Sequence, residues 1–221
     1  MSENANDTGK RRRTAALWAS GALSAAILVL GVNGTLASWT SAIIDNTNND
    51  VASTHAVALI ETGPGAVTCD TESTATNHVA TCSTINKYGG TGTPLNPDSV
   101  GVGDTQSVSV NLKNSGTGQG DLVLTSDACG STALGGSLTA DPVTYPVCDK
   151  VTVTVACTAP ATLDTTATPV ALSAFTGGTV GTLAAGADTN CTFTLKLPLG
   201  TPAGYASQVA SQVLHWTLTA S

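Results

Sequence analysis

Lys150-Val151-Thr152-Val153-Thr154-Val155-Ala156-Cys157 alternates apolar and hydroxyl side chains with a period of two. Successive side chains of an extended strand point to opposite faces, so Val151, Val153, Val155 and Cys157 share one face and Thr152 and Thr154 the other. The device recurs. In Ser107–Lys113, Val108, Val110 and Leu112 alternate with Ser109 and Asn111; further on, Cys191, Phe193, Leu195 and Leu197 alternate with Thr192, Thr194 and Lys196. Each segment reads as a strand that hides one face and wets the other. Working outward, Val51–Leu59, short pieces around Val67 and Val79, Leu122–Thr125 and Val209–Leu218 complete the set, the last with a helical turn expected at Ala206–Ala210. Asn114-Ser115-Gly116, Gly135-Gly136, Gly177-Gly178 and Pro198-Leu199-Gly200 read as turns, and Tyr88–Gly92 as an irregular loop. Short strands at this spacing predict an all-β fold, a single antiparallel sandwich of about 8–10 strands.

Composition agrees. The 221 residues include 37 Thr, 19 Ser, 20 Val and 23 Gly, while charged residues make up only 10% and aromatic residues 4%. Thr and Val favour strands. Charge this low excludes long salt-bridged helices, and the dearth of aromatics disfavours an aromatic-lined cofactor pocket; no cofactor is expected.

The first forty residues read as an address. Lys10, Arg11, Arg12 and Arg13 precede an uncharged stretch from Thr14 to Ile44 that is most apolar between Ala25 and Val32. That is the order of a secretory signal peptide, expected to be helical, with small residues Thr35 and Ala37 placed for cleavage between Ala37 and Ser38. Two rival readings compete. Ala15–Val32 is 18 residues, the lower bound for a membrane span, but Ser20, Gly21 and Ser24 weaken it. A twin-arginine signal lacks hydrophobic residues behind the arginines, where Thr14-Ala15-Ala16 stand. Without residues 1–37, four lysines face thirteen carboxylates, a formal charge of −9. Nucleic acid and anionic lipid are then repelled, and the membrane is met only through an uncleaved leader.

All six cysteines, Cys69, Cys82, Cys129, Cys148, Cys157 and Cys191, follow the leader. An even number in an exported chain predicts three disulfides, for which fifteen pairings exist. Nearest-neighbour pairing is the simplest, each bridge then closing one loop. Zinc is the competing use, but no two cysteines are separated by two residues and no histidine stands at finger spacing.

Two stretches resemble a known family. Asn33-Gly34-Thr35-Leu36-Ala37 followed by Ser38-Trp39-Thr40 resembles the junction in leaders cut by SipW-type signal peptidases. Val102–Gly116, with Gly103-Asp104-Thr105 and Asn114-Ser115-Gly116, resembles the corresponding segment of the TasA/camelysin family. The resemblance covers the leader junction and residues 38–125; the cysteine-bearing remainder lies outside it. It implies an exported jelly-roll-like sandwich that is SipW-dependent, secreted or held at the cell surface, and in some members polymerised into biofilm-matrix fibres when a mature N-terminal strand inserts into the next subunit. Trp39, Ala42, Ile43 and Ile44 are then the candidate donor strand and Asn46–Asp50 the hinge. The competing reading has Trp39 and the isoleucines fold back onto their own sandwich.

Camelysin carries a metallopeptidase label, so catalysis is weighed directly. Zinc peptidases place two imidazoles on one helical face beside a carboxylate base. Here His55, His78 and His215 stand apart, without HExxH or HxxEH. No G-x-S-x-G marks a nucleophilic serine. A glycosidase needs an aromatic-lined cleft, and the few aromatics are scattered. Asn46–Asp50 offers oxygen ligands for calcium but lacks the EF-hand order, so a polar turn is the simpler reading.

The expected organisation is a signal peptide over 1–37, a mature N-terminal segment over 38–50 and a disulfide-bonded sandwich over 51–221. The chain ends on apolar Val213, Leu214, Trp216 and Leu218, which read as core rather than as a wall anchor. The expected function is that of an exported, non-enzymatic cell-surface or matrix protein, partnered by itself or by other surface proteins and, during export, by signal peptidase. A camelysin-like peptidase and a module that binds a wall polymer are the alternatives.

Overall fold

In the computed structural model the alternating segments are antiparallel strands. The structure describes residues 41–43, 56–72, 78–92, 94–95, 104–136 and 140–221, and Thr40–Ser221 form one compact unit. In chain order the strands are β1 (Ser41–Ile43), β2 (Leu59–Thr62), β3 (Thr68–Asp70), β4 (Asp104–Asn114), β5 (Gly120–Ser126), β6 (Gly130–Ala133), β7 (Thr152–Cys157), β8 (Val170–Ala171), β9 (Gly177–Leu183), β10 (Asp188–Leu197), β11 (Gln208–Ser211) and β12 (Leu214–Ala220). Among the described residues the only helices are single 3₁₀ turns.

Two sheets make the sandwich, in the orders β1-β12-β5-β9 and β3-β2-β4-β10-β7-β8; β6 and β11 pair separately. Without β2 and β3 the orders 1-12-5-9 and 4-10-7-8 are those of a jelly roll, two Greek keys wound together. All pairing is antiparallel.

Alternation in sequence becomes a layered core. Val108, Val110 and Leu112 of β4, Val153 and Val155 of β7, and Cys191, Phe193, Leu195 and Leu197 of β10 all turn inward. They meet Leu122 and Leu124 of β5, Val180 and Leu183 of β9, and Trp216 and Leu218 of β12. Phe193 and Trp216 bridge the sheets edge to face, with ring centroids 6.0 Å apart, an arrangement that aligns ring edge with ring face. On the outer face the hydroxyls satisfy one another. Ser107 and Thr194 share a hydrogen bond of 2.9 Å and Ser109 and Thr192 one of 2.7 Å, while Asn111 Nδ2 donates to Asp188 Oδ2 at 2.6 Å. Such cross-strand pairs are how a sheet face this poor in charge stays ordered.

The turn after β4 depends on two residues. Asn114 is buried; its Nδ2 donates to the carbonyls of Gly118 (2.8 Å) and Leu183 (3.0 Å), and its Oδ1 accepts from the Gly116 N–H (3.0 Å). A Cβ on Gly116 would stand 2.5 Å from the Val57 Cα, so the segment around Val57 passes only because this residue has no side chain.

Several expectations shift. The strand expected at Val51–Leu59 begins only at Leu59, because the carbonyls of Ala56 and Ala58 bond the turn after β4 instead, accepting from Gly118 N and Ser115 N; residues 51–55 lie outside the described set. The piece at Val67 becomes β3, whereas Val79 lies in irregular chain beside His78, whose φ is +54°. Val209–Leu218 divides into β11 and β12, and the helical turn falls earlier, at Ala203–Tyr205. Gly177-Gly178, expected as a turn, opens β9. Gly177 has φ +84° and lies so close to β5 that a Cβ would stand 2.2 Å from the Leu124 carbonyl oxygen.

Candidate functional site

The first strand is a narrow edge of its sheet. Among the described residues β1 joins its sheet through three residue pairs, Ser41 with Thr219, Ala42 with Leu218 and Ile43 with Thr217, against seven between β12 and β5. Backbone hydrogen bonds contribute on the order of 0.5–1.5 kcal/mol each, net of water, so three rungs hold this edge lightly. Ala42 and Ile43 of the candidate donor segment are thus paired with their own chain. Ala37, Ser38, Trp39 and Ile44 lie outside the described residues, as do the Asn46–Asp50 hinge, the leader with its expected helix, and His55.

The three disulfides are Cys69–Cys82, Cys129–Cys148 and Cys157–Cys191, the nearest-neighbour pairing. Cys157 and Cys191 sit directly opposite on β7 and β10. Cys129–Cys148 ties the approach to β6 to the 3₁₀ turn Val147–Asp149, and Cys69–Cys82 anchors the 78–92 segment to β3. Three disulfides fit an oxidising compartment. Among the described residues no helix is long and apolar enough to cross a membrane.

The anchored 78–92 segment brings a charge into the sandwich. Lys87 Nζ lies 2.7 Å from Glu61 Oε1, with side-chain exposures of 9% and 2%. The same oxygen accepts the Trp216 indole N–H at 3.1 Å. A buried carboxylate is tolerated only when paired and hydrogen-bonded, and here one ammonium and one indole do both. Next along, the Tyr88 hydroxyl donates to Gln212 Oε1 at 2.7 Å, and burial pushes its phenol above the ordinary range. Gln212 Nε2 donates in turn to the carbonyl of Asp127 at 2.7 Å. Beside this segment is a cavity of about 490 Å³, its apolar wall formed by residues such as Ile85, Leu95, Leu197 and Leu214 and its polar wall by residues such as Gln106 and Gln208. That volume suits a small molecule.

Sequence reasoning missed Glu61, Lys87 and Gln212. Glu61 does follow Leu59 at strand spacing, so its place on the inner face was the available signal. Of the expected histidines, His78 lies in the segment after β3, and His215 on β12 stands 3.4 Å from Asp127 Oδ1 at the surface. Among the described residues no three His, Cys, Asp or Glu side chains are grouped to hold a metal.

No family model, curated protein or solved structure matches this chain.

Proposed function

We propose that this chain is an exported, non-enzymatic surface or matrix protein whose copies assemble by exchanging their first strand. The observation behind the proposal is the β1–β12 ladder: among the described residues, three rungs at the edge of a sheet whose other pairings are longer. When β1 leaves, β12 presents unpaired N–H and C=O groups over Thr217–Thr219 and an identical strand from another copy restores the same bonds. The exchange is nearly neutral in contacts, which makes swapping of an identical element a low-cost route to assembly. The disulfides and hydroxyl-rich outer face suit a protein that works outside the cell. The TasA/camelysin resemblance of residues 38–125 points the same way.

The test is electron microscopy of mature protein beginning at Ser38, beside a form lacking residues 38–44 and a form carrying Ser41→Cys and Thr219→Cys. Those two positions are directly opposed, so oxidising the monomer locks β1 to its own domain. The expected result is filaments from the first protein and none from the other two. Filaments from the deleted or the locked form refute strand exchange.

A further inference from the structure

Aromatic residues are scarce, eight in the whole chain, and those placed in the core are occupied: Phe175, Phe193 and Trp216 are buried and Tyr88 is bonded to Gln212. Tyr145 and Tyr205, sixty positions apart in sequence, meet near the surface. Their rings stand edge to face, centroids 5.5 Å apart and planes at 72°, forming a corner. Tyr145 is 41% exposed, and Val143 on the same turn is 90% exposed.

The corner is built, not incidental. Asp141 shapes the first loop, its Oδ1 accepting from Thr144 N and its carbonyl from Tyr145 N. Tyr205 closes a 3₁₀ turn by donating its N–H to the Pro202 carbonyl. One side chain clamps the two loops together: Gln208 Nε2 donates to the carbonyls of Tyr145 (2.9 Å) and Gly204 (3.0 Å), while its Oε1 accepts from Val147 N at 3.1 Å. Tyr145 lies against Gly204 so closely that a Cβ there would be 2.7 Å from the ring. Val147 and Gln208 also line the 490 Å³ cavity, so the corner stands within a few residues of its wall. Rigid, amphipathic tyrosines held by a second layer of hydrogen bonds are what a recognition surface requires.

Charge narrows the ligand. Lys150 Nζ already sits 5.3 Å from the centroid of the Tyr205 ring, which repels a cationic ligand from that face. Asp141 and Asp149 flank the same segment, and the chain without residues 1–37 carries a formal charge of −9, so a polyanion is repelled as well. What remains is a neutral molecule with apolar C–H faces for the rings and hydroxyls for the phenols, the Asp carboxylates and Lys150. We propose that the Tyr145–Tyr205 corner binds a neutral saccharide chain.

The site is independent of assembly, so the monomeric protein with its disulfides intact serves for the test. Cellopentaose, chitopentaose and mannopentaose are titrated by calorimetry and by NMR shifts of the 141–150 and 202–208 amides, with a pentagalacturonate as the acidic comparison. At least one neutral pentasaccharide binds with Kd of about 0.1–1 mM, the range of a small contact surface. Tyr145→Ala weakens it at least about tenfold and Tyr145→Phe by less than about threefold, since the ring is kept, whereas Val67→Ser, at an exposed site elsewhere, changes nothing. Tyr205→Ala acts like Tyr145→Ala; should it unfold, Tyr145→Ala, at an exposed position, still decides. The proposal is overturned if no neutral pentasaccharide binds at about 10 mM, if binding survives Tyr145→Ala, or if the galacturonate binds as tightly.

Discussion

Replacing Lys87 by Met removes the ammonium that lies 2.7 Å from Glu61 Oε1 and leaves a carboxylate, 2% exposed, that still accepts the Trp216 indole N–H. Breaking a buried pair from one side costs about 3–5 kcal/mol, because the remaining charge is stranded in a poor solvent. For a domain of this size each kcal/mol moves Tm by about 2–4 °C, so Lys87→Met is expected to melt roughly 10 °C lower. The pair itself is not expected to contribute that much. In Glu61→Gln with Lys87→Met both charges are gone, Gln still accepts the Trp216 N–H, and stability returns to within about 1–2 kcal/mol of the parent. Thermal and urea unfolding under non-reducing conditions, followed by Trp fluorescence, measures all three proteins and Glu61→Gln alone. The result that refutes the reasoning is a Lys87→Met protein within 1 kcal/mol of the parent, or a double variant as unstable as the single.

Three further outcomes follow from other contacts. Gly177→Ala must fit a Cβ 2.2 Å from the Leu124 oxygen at φ +84°, so it is expected to cost at least about 2 kcal/mol by urea unfolding and to speed amide exchange along β9. Burial raises the Tyr88 phenol; the stability tied to it is full below pH 10 and lost as pH rises through the higher folded value, so absorbance at 295 nm shows a late step that Tyr88→Phe removes. Hydrogen bonds from Thr144 and Thr166 hold the Asp141 and Asp164 carboxyls below their ordinary value. Their contribution is present above the unfolded value near pH 4 and lost as pH falls through the folded values, so Asp141→Asn with Asp164→Asn flattens the fall of Tm below about pH 4.

What could be read in the chain was whatever repeats at a period of two. β4, β7 and β10 were visible because each sets valine, leucine or phenylalanine against serine, threonine or asparagine, and burial on one face demands that pattern. β9 was hidden because Gly177 lies against the β5 backbone where a Cβ would clash, and with Gly178 beside it the strand opens on residues that carry no face. β2 was displaced because Ala56 and Ala58 bond a turn rather than a neighbouring strand. The Glu61–Lys87 pair and the tyrosine corner depend on residues 26 and 60 positions apart, joined only after the sheets have formed. The disulfides were legible as a set because neighbours in sequence became neighbours in space: β7 and β10 flank each other, and Cys157 faces Cys191.

The cysteines also divide the sandwich mechanically. None belongs to a strand of the sheet β1-β12-β5-β9, while the opposite sheet carries a covalent cross-strand link between β7 and β10. The outer end of β1 lies beside the outer end of β12, Ser41 opposite Thr219. Traction on those two ends therefore loads the ladder one rung at a time, as a zip opens, rather than shearing all rungs together. Under tension this disulfide-free seam is expected to peel before the sheet that carries the Cys157–Cys191 link.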